Sequence, residues 1–357
     1  MPLNLPDAEW ADYAEARAPG PHLDMLHAAG FRAAGAALRL GVFDALAAGP
    51  LTAPELAKRI DGDEQAVTLL LDVLHVFSYL DKHVEPGGEP RYANSEQASR
   101  YLLSGTPDTY ATVFSFWHTI LIRFWDNLEE SVRTGVPAAS FYPWLEARPA
   151  TLRQFQTMLT RLSRMLAPAV VDLLPVPDRP TRLLDVGGGH ASYSIALCRR
   201  HPQLQATVVD LAGALATGLE AVAAAGLADR ITGLAWDFMS PIAEVPAPPY
   251  DIVLLFNIVH GLSPDQNVAL LRRLADAMPS GALLAVLEPL DEPPSSGSVT
   301  ADAFVKIFSL NLFHGQGGRA VAYDALGEWL GAAGFADIRR HALHPSTNDN
   351  LILATRR

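Results

Sequence analysis

After DRPTR (178–182) the chain alternates short apolar runs with helical stretches. RLLDVGG precedes a helix through Cys198, and QATVVDL precedes a helix through Ala225. ITGLAWD and YDIVLLFNIV follow, then a helix near 264–278, ALLAVLEPL, further helices, and two late strands around IRRHAL and NLILATRR. Strands separated by helices cannot pair as hairpins; each helix crosses a face of the sheet and leaves successive strands parallel. The expected fold is α/β, a doubly wound parallel sheet, with ligands at the carboxyl ends of its strands.

LLDVGGGHASYS (183–194) reads as strand, glycine turn and helix start. Glycines serve where the backbone takes positive φ or a ligand lies against bare main chain, and Gly187, Gly188 and Gly189 supply that. The run is a poor nucleotide-phosphate fingerprint, because Ser192 stands where the last glycine belongs and no Gly-Lys-Ser/Thr follows. Asp185, just before the glycines, would repel a pyrophosphate and suits a ligand with a positive amino group. Asp210 ends the next strand, 25 residues after Asp185, where an acid commonly accepts from ribose hydroxyls. Asp237 ends the third, with Phe238 beside it: an acceptor for an adenine amino group and an aromatic face for its ring. Each acid alone reads as readily as a loop or cap residue. Three at successive strand ends make one pattern.

The earlier half has a helical rhythm from residue 22 to about 170. Within LTAPELAKRIDGDEQAVTLLLDVLHVFSYLDK (51–82), Thr52 caps a helix with Glu55 as capping-box partner, and Asp61-Gly62 ends it. A second helix is expected from Asp63 to Leu80, and HVEPGGEPRYANS (83–95) reads as a hairpin turning at Pro86-Gly87-Gly88. Two helices and a hairpin make a winged-helix pattern. Residues 63–80 would be its DNA reader, yet they carry no Lys or Arg and do carry Asp63, Glu64 and Asp72. Val67, Leu70, Leu71, Leu74 and Phe77 suit packing on another protein surface better. Residues 101–170 are helical and aromatic: Phe114, Phe116, Trp117, Phe124, Trp125, Phe141, Trp144 and Phe155 are core or pocket wall.

Bulk properties agree. At 357 residues, roughly 150 per domain favours two domains. A net charge of −12 argues against a nucleic-acid partner, and no apolar run reaches the ~18 residues of a membrane span. The N-terminus lacks a basic region followed by an apolar one, so a secretory signal is not expected. Cys198, alone in the sequence, excludes an internal disulfide and fits a reducing cytoplasm. Richness in Ala, Gly, Pro and Arg suggests a GC-rich bacterial genome.

The order DVGGG, VVDL, WDF, then an apolar strand ending in histidine, resembles the S-adenosylmethionine-dependent small-molecule O-methyltransferases, the caffeate-type enzymes and their bacterial natural-product relatives. The resemblance spans about residues 25–357. It implies a Rossmann-like class I methyltransferase domain behind an N-terminal, mostly helical, winged-helix-like dimerisation domain. The implied divisions are a tail at 1–20, the dimerisation domain at 21–105, a helical linker and substrate wall at 106–177, and the cofactor-binding domain at 178–357. For S-adenosylmethionine and its product S-adenosylhomocysteine, the implied contacts are Asp185, Gly187, Gly188 and Gly189 at the methionine end, and Asp210 with Leu211 at the ribose. Asp237 with Phe238 would take the adenine, and Asn257 completes the set.

The resemblance makes His260, in DIVLLFNIVHGLSP (251–264), a general base for the acceptor hydroxyl. A phenol of pKa ~10 is little ionised at neutral pH, whereas an imidazole of pKa ~6.5 is mostly free base. Glu288, closing the next strand 28 residues on, is the candidate orienter of that histidine. Trp117, Phe155, Met158, Phe304, Phe308 and His314 are the expected acceptor contacts, with Phe313 nearby and helical core the alternative for the phenylalanines.

Four positions depart from the family pattern. Gly261-Leu262 replace Asp-Trp, Ala320 replaces a second flanking glutamate, Ala191 replaces a glycine and Ala212 a proline. Two rival readings stand beside this one, the first suggested by His314, where some family members also carry a histidine near the substrate, and the second by the altered surroundings of His260. One is a metal-assisted C-methyltransferase of a 2-oxo acid with His260 and His314 as ligands; the other is a family member that uses the cofactor for a non-methylating reaction. The favoured reading needs no metal. It is a cytoplasmic homodimeric O-methyltransferase of a small, hydroxylated, aromatic metabolite in bacterial secondary metabolism, without nucleic-acid or membrane partners.

Overall fold

The computed structural model describes residue 3 and residues 5–106, 109–238, 240, 245–246, 249–293, 297–344 and 348–357. These form two compact units, Met1–Phe124 and Trp125–Arg357.

The first unit holds α1 (Asp7–Ala14), α2 (Gly20–Leu40), α3 (Val42–Ala45), β1 (Leu51–Thr52), α4 (Ala53–Ile60), α5 (Glu64–Val76), β2 (Leu80–His83), β3 (Arg91–Asn94), α6 (Glu96–Tyr101) and α7 (Ala111–Thr119). Thr52 caps α4, and its hydroxyl accepts from Glu55 N while the Glu55 side chain accepts from Thr52 N, satisfying two otherwise orphan donors. Strands β2 and β3 form the expected hairpin, and β1 adds to the free side of β3, all antiparallel. This is a winged-helix arrangement.

Three details differ from expectation. The second helix stops at Val76, not Leu80: Ser78 takes a φ of 56° and turns the chain into β2. Nothing in Phe77-Ser78-Tyr79 marks that turn, since serine seldom adopts this conformation. Second, Val67, Leu71, Leu74 and Phe77 are not a docking face; they are buried in this unit's own core with Leu56, Tyr79 and Tyr92. Third, the aromatic stretch after α7 is not continuous α-helix, because Ile120–Phe124 forms one wide π turn. Residues 1–20, expected as a tail, contain α1.

The second unit opens with a 3₁₀ turn at Trp125–Asn127. Next come α8 (Leu128–Thr134), α9 (Phe141–Glu146), α10 (Pro149–Leu173), β4 (Thr181–Val186), α11 (Ser192–Arg200), β5 (Leu204–Asp210), α12 (Ala212–Ala224) and β6 (Ile231–Ala235). Then follow β7 (Ile252–Phe256), α13 (Pro264–Asp276), β8 (Leu283–Pro289), α14 (Val299–Gln316), α15 (Tyr323–Ala332), β9 (Phe335–His344) and β10 (Asp349–Arg356). Its sheet runs β6-β5-β4-β7-β8-β10-β9. Strands β4 to β8 are mutually parallel, as the alternation requires, but β10 enters antiparallel to both β8 and β9, so the sheet is mixed rather than wholly parallel. Strand β7 is buried at every position, and helices bury both faces of the sheet in two apolar layers. The order reverses about β4, and a ligand cleft belongs beyond the carboxyl ends there.

Candidate active site

Strand β4 delivers Asp185 to that edge, and Gly187, with φ of 72°, turns the chain out of the sheet. Each glycine of the turn is fixed by a close neighbour. A Cβ on Gly187 would lie 2.4 Å from the Ile258 side chain, one on Gly188 2.3 Å from the Asp185 carboxyl, and one on Gly189 2.7 Å from Asp210 Oδ2. The turn is therefore a bare-backbone cradle. Phe238 stands 3.7 Å from the same Gly187 position, which brings the third strand end into the group.

The two acids of the cradle are held differently. Asp185 is buried and accepts a hydrogen bond from Ser194 Oγ at 2.6 Å. Burial pushes its carboxyl up to about 6, the negative charge of Asp210 adds to the rise, and the Ser194 hydroxyl opposes it. Asp210 accepts from Gly189 N at 2.9 Å and from Leu211 N at 2.7 Å. Burial raises its carboxyl too, against the pull of those two N–H groups. No cation among the described residues pairs with either acid. Buried carboxylates without a counter-ion are costly, so this pair favours a cationic ligand.

Leu211 is exposed at the head of α12. Asp237 is exposed two residues past β6, while Phe238 is half-buried with its carbonyl held by the Arg273 guanidinium. Asn257 leaves β7 with a φ of 56°, its N–H donating to Leu287 O at 2.8 Å.

His260 sits just past that turn, on one 3₁₀ turn spanning Val259–Gly261, so the strand ends earlier than the apolar run suggested. Its Nδ1 lies 2.5 Å from Glu288 Oε2, and Glu288 is fully buried on β8. Glu288 Oε1 accepts from both Ile258 N and Val259 N at 2.9 Å. One carboxylate thus holds the loop and the ring together. The backbone is clamped from the other side: Arg319 N donates to His260 O at 2.8 Å, and Asn267 Nδ2 to Val259 O at 3.0 Å. With Nδ1–H facing a carboxylate, the tautomer leaves the Nε2 lone pair as acceptor. The Phe308 ring meets the imidazole edge-on at 5.1 Å, and Phe304 stacks on Phe308 at 5.9 Å.

The remaining expected contacts scatter. His314 is buried, with Nδ1 2.7 Å from Ser131 Oγ. Phe155 packs edge-on against Phe141, Met158 is buried on α10, and Trp117 belongs to the first unit, edge-on to Phe116. Among the described residues no group of three or more His, Cys, Asp or Glu is placed to hold a metal ion. At the departures, Gly261 faces Gln316, where a Cβ would lie 3.0 Å from Oε1, and Ala320 is buried with its N–H on Ser309 Oγ. Ala191 takes a φ of 54°.

Sequence reasoning missed three supports. Ser194 is an unremarked helix serine. Gly218 hides in an alanine-rich helix, yet a Cβ there would lie 2.0 Å from Gly189 O, so its bareness lets α12 reach the turn. Gly318 does the same for His260 O at 2.1 Å. A glycine inside a helical pattern was the one available signal.

A mixed seven-stranded sheet, with a glycine cradle and acids at successive strand ends, defines a Rossmann-like methyltransferase domain. Residues 25–104 match the model of the O-methyltransferase dimerisation domain, and residues 125–336 that of the O-methyltransferase domain. The chain is 34% identical over 312 residues to 3-hydroxy-5-methyl-1-naphthoate 3-O-methyltransferase of Streptomyces sahachiroi, covering 85% of each. It is 29% identical over 311 residues to aclacinomycin 10-hydroxylase RdmB of Streptomyces purpurascens, covering 84% of this chain and 79% of that one. The solved structure of mitomycin 7-O-methyltransferase MmcR superposes with a TM-score of 0.81 at 26% identity, covering 96% and 99% of the two chains. The chain belongs to the O-methyltransferase family and is an S-adenosylmethionine-dependent methyltransferase. Among the described residues, no helix is long and apolar enough to cross a membrane.

Proposed function

We propose that this enzyme methylates a hydroxyl oxygen of a small aromatic metabolite, with His260 as general base and Glu288 as its positioning partner. The observation that carries this reading is the buried pair of His260 Nδ1 and Glu288 Oε2 at 2.5 Å. The carboxylate fixes the ring and stabilises the imidazolium that forms when Nε2 takes the hydroxyl proton. Phe304 and Phe308 offer an aromatic acceptor a flat apolar wall beside that nitrogen.

The cradle fits S-adenosylmethionine in shape and charge. Asp185 would face its ammonium group, Gly187 to Gly189 would lie against its methionine portion, and Asp210 with Leu211 would hold the ribose. Asp237 and Phe238 would take the adenine, with Asn257 at the adjoining strand end. When bound, the cofactor supplies a methyl group already activated by a positive sulfur. The protein then needs only to align the acceptor, exclude water and remove one proton. Phe155, Met158 and His314 complete the acceptor contacts in this reading.

Residues 21–105 serve dimerisation, making the protein a homodimer, and residues 106–177 join them to the cofactor-binding part at 178–357. The Streptomyces relatives support a place in bacterial secondary metabolism, and the single cysteine supports the cytoplasm. A second reading, cofactor binding without methyl transfer, is favoured by the relative named as a hydroxylase.

The test is S-adenosylhomocysteine release and product mass over a panel of phenols, hydroxylated aromatic acids and 2-oxo acids, with and without chelator. Methylated phenol that survives chelator and collapses in His260→Ala supports base-catalysed O-methylation. A 2-oxo acid methylated only without chelator overturns it. An oxidised product without S-adenosylhomocysteine favours the second reading.

A further inference from the structure

Three arginines of the first unit gather where α2 meets α7. Arg32, Gly35 and Arg39 follow one another at helical spacing along a single stripe of α2. Gly35 leaves room on that stripe for the His118 ring, since a Cβ there would lie 2.1 Å from the ring's Cδ2. His118 is only 3% exposed, and its Nδ1 lies 3.3 Å from a guanidinium nitrogen of Arg39. A guanidinium only donates, so Nδ1 accepts and the ring proton sits on Nε2. Arg123 reaches the same place through the π turn at Ile120–Phe124. In an α-helix it would stand well round from His118; a turn closed from i to i+5 brings it back toward that side. Burial, then the charges of Arg39, Arg32 and Arg123, push the imidazole down to about 4, with the Arg32 carbonyl opposing. Burial, then Arg32 and Arg123, lower the Arg39 guanidinium as well.

No carboxylate among the described residues pairs with any of these three guanidiniums, although acids outnumber bases in the chain. Cations held together against their mutual repulsion are costly until an anion joins them. The choice of partner for Arg39 is informative. An aspartate would hold the guanidinium and cancel its charge, whereas a neutral imidazole holds it and leaves the charge whole. A lone carboxylate offers two oxygens to three guanidinium forks; a phosphate group offers three and close to two charges. We infer that Arg32, Arg39 and Arg123 form a binding site for a phosphate group, free or carried as a monoester on a small molecule. His118 is the residue that positions Arg39. The site lies within the first unit and is independent of the methyl-transfer reading.

The probes are inorganic phosphate and phenyl phosphate, titrated by calorimetry into the full-length enzyme at about pH 8, with ionic strength held constant by sodium chloride. Binding should be saturable at a single site per chain, and acetate should be silent. Arg32→Gln and Arg123→Gln, both at exposed positions, should each weaken it at least about fivefold, and the double variant should abolish it. Arg133→Gln, which alters a paired surface arginine of the second unit, should leave it within about twofold. His118→Asn keeps a neutral acceptor and should bind within about threefold of wild type, whereas the isosteric His118→Asp cancels the Arg39 charge and should bind at least about tenfold more weakly. Thermal melts check that each variant folds. Phosphate as tight as phenyl phosphate makes the free ion the ligand; a tighter monoester makes it a carried group. Heats that follow ionic strength alone, acetate binding equally well, or binding that survives the double variant each overturn the inference. Failure of both probes to bind overturns it too, and a double variant that then sediments as a smaller species gives the arginines to the acids of a second copy.

Discussion

Ser194, in the first turn of α11, donates its hydroxyl hydrogen to the buried carboxylate of Asp185 at 2.6 Å. It is the one described side chain that steadies this acid in its ionised form, against burial and against Asp210.

That balance predicts how cofactor binding depends on pH. The Asp185 carboxyl is pushed up to about 6 in the folded protein, so at pH 4 to 6 the fold holds a proton that the unfolded chain has released. The ligand-free protein therefore loses stability as pH rises through that window. A ligand bearing an ammonium group prefers the carboxylate, which reverses the dependence for binding: affinity for S-adenosylhomocysteine should fall as pH drops below about 6, approaching tenfold per unit. Asp210, raised in the same direction, reinforces the trend. Titration calorimetry should find proton release on binding near pH 6, and Ser194→Ala should move the bend to higher pH. Affinity that stays flat from pH 5 to 8 contradicts the assignment of Asp185.

Glu288→Gln should separate charge from shape. The glutamine oxygen can still accept from Ile258 and Val259, but its NH₂ then faces His260 Nδ1 and pushes the ring proton onto Nε2. With the accepting nitrogen blocked, kcat should fall by about two orders of magnitude or more while the cofactor Kd holds. Glu288→Ala instead strands buried N–H groups and should cost about 2–3 kcal/mol of stability, read as a lower midpoint in urea. Unchanged kcat in the glutamine variant removes Glu288 from the mechanism.

If His260 is the base, its loss should matter less as the acceptor becomes more acidic. The wild-type to His260→Ala ratio of kcat/KM should shrink steadily across phenols from pKa about 10 down to about 7. A ratio independent of acceptor acidity would mean that the histidine only aligns the substrate.

Two small substitutions probe the cradle in opposite senses. Ala191→Gly relieves a left-handed alanine and should be neutral or stabilising by up to about 1 kcal/mol. Gly218→Ala drives a methyl against Gly189 O and should cost about 1–3 kcal/mol while weakening S-adenosylhomocysteine binding. Thermal melts with and without the ligand check both.

The features legible in the sequence were those in which type and position carry the same message. Acids closing apolar strands marked β4 and β5, and the 28-residue spacing put Glu288 beside His260 because two adjacent parallel strands end level. Other features depend on contacts between distant segments. The turn at Ser78 uses a residue with no preference for it, and the direction of β10 follows from which edge of β8 is left open. The apolar face of α5 could have met a partner or its own core, and hydrophobicity alone does not distinguish them.

Strand β10 pairs with the strand that carries Glu288, placing Asn350 opposite that glutamate. The consequence concerns the order of events on the ribosome. Strands β4, β5 and β6 can meet once the chain has been made to residue 235, whereas β8 keeps one edge unpaired until synthesis reaches Arg356. An open parallel edge invites pairing with a stranger. The nascent protein thus assembles the cradle first and closes the sheet beside its proton acceptor more than a hundred residues later.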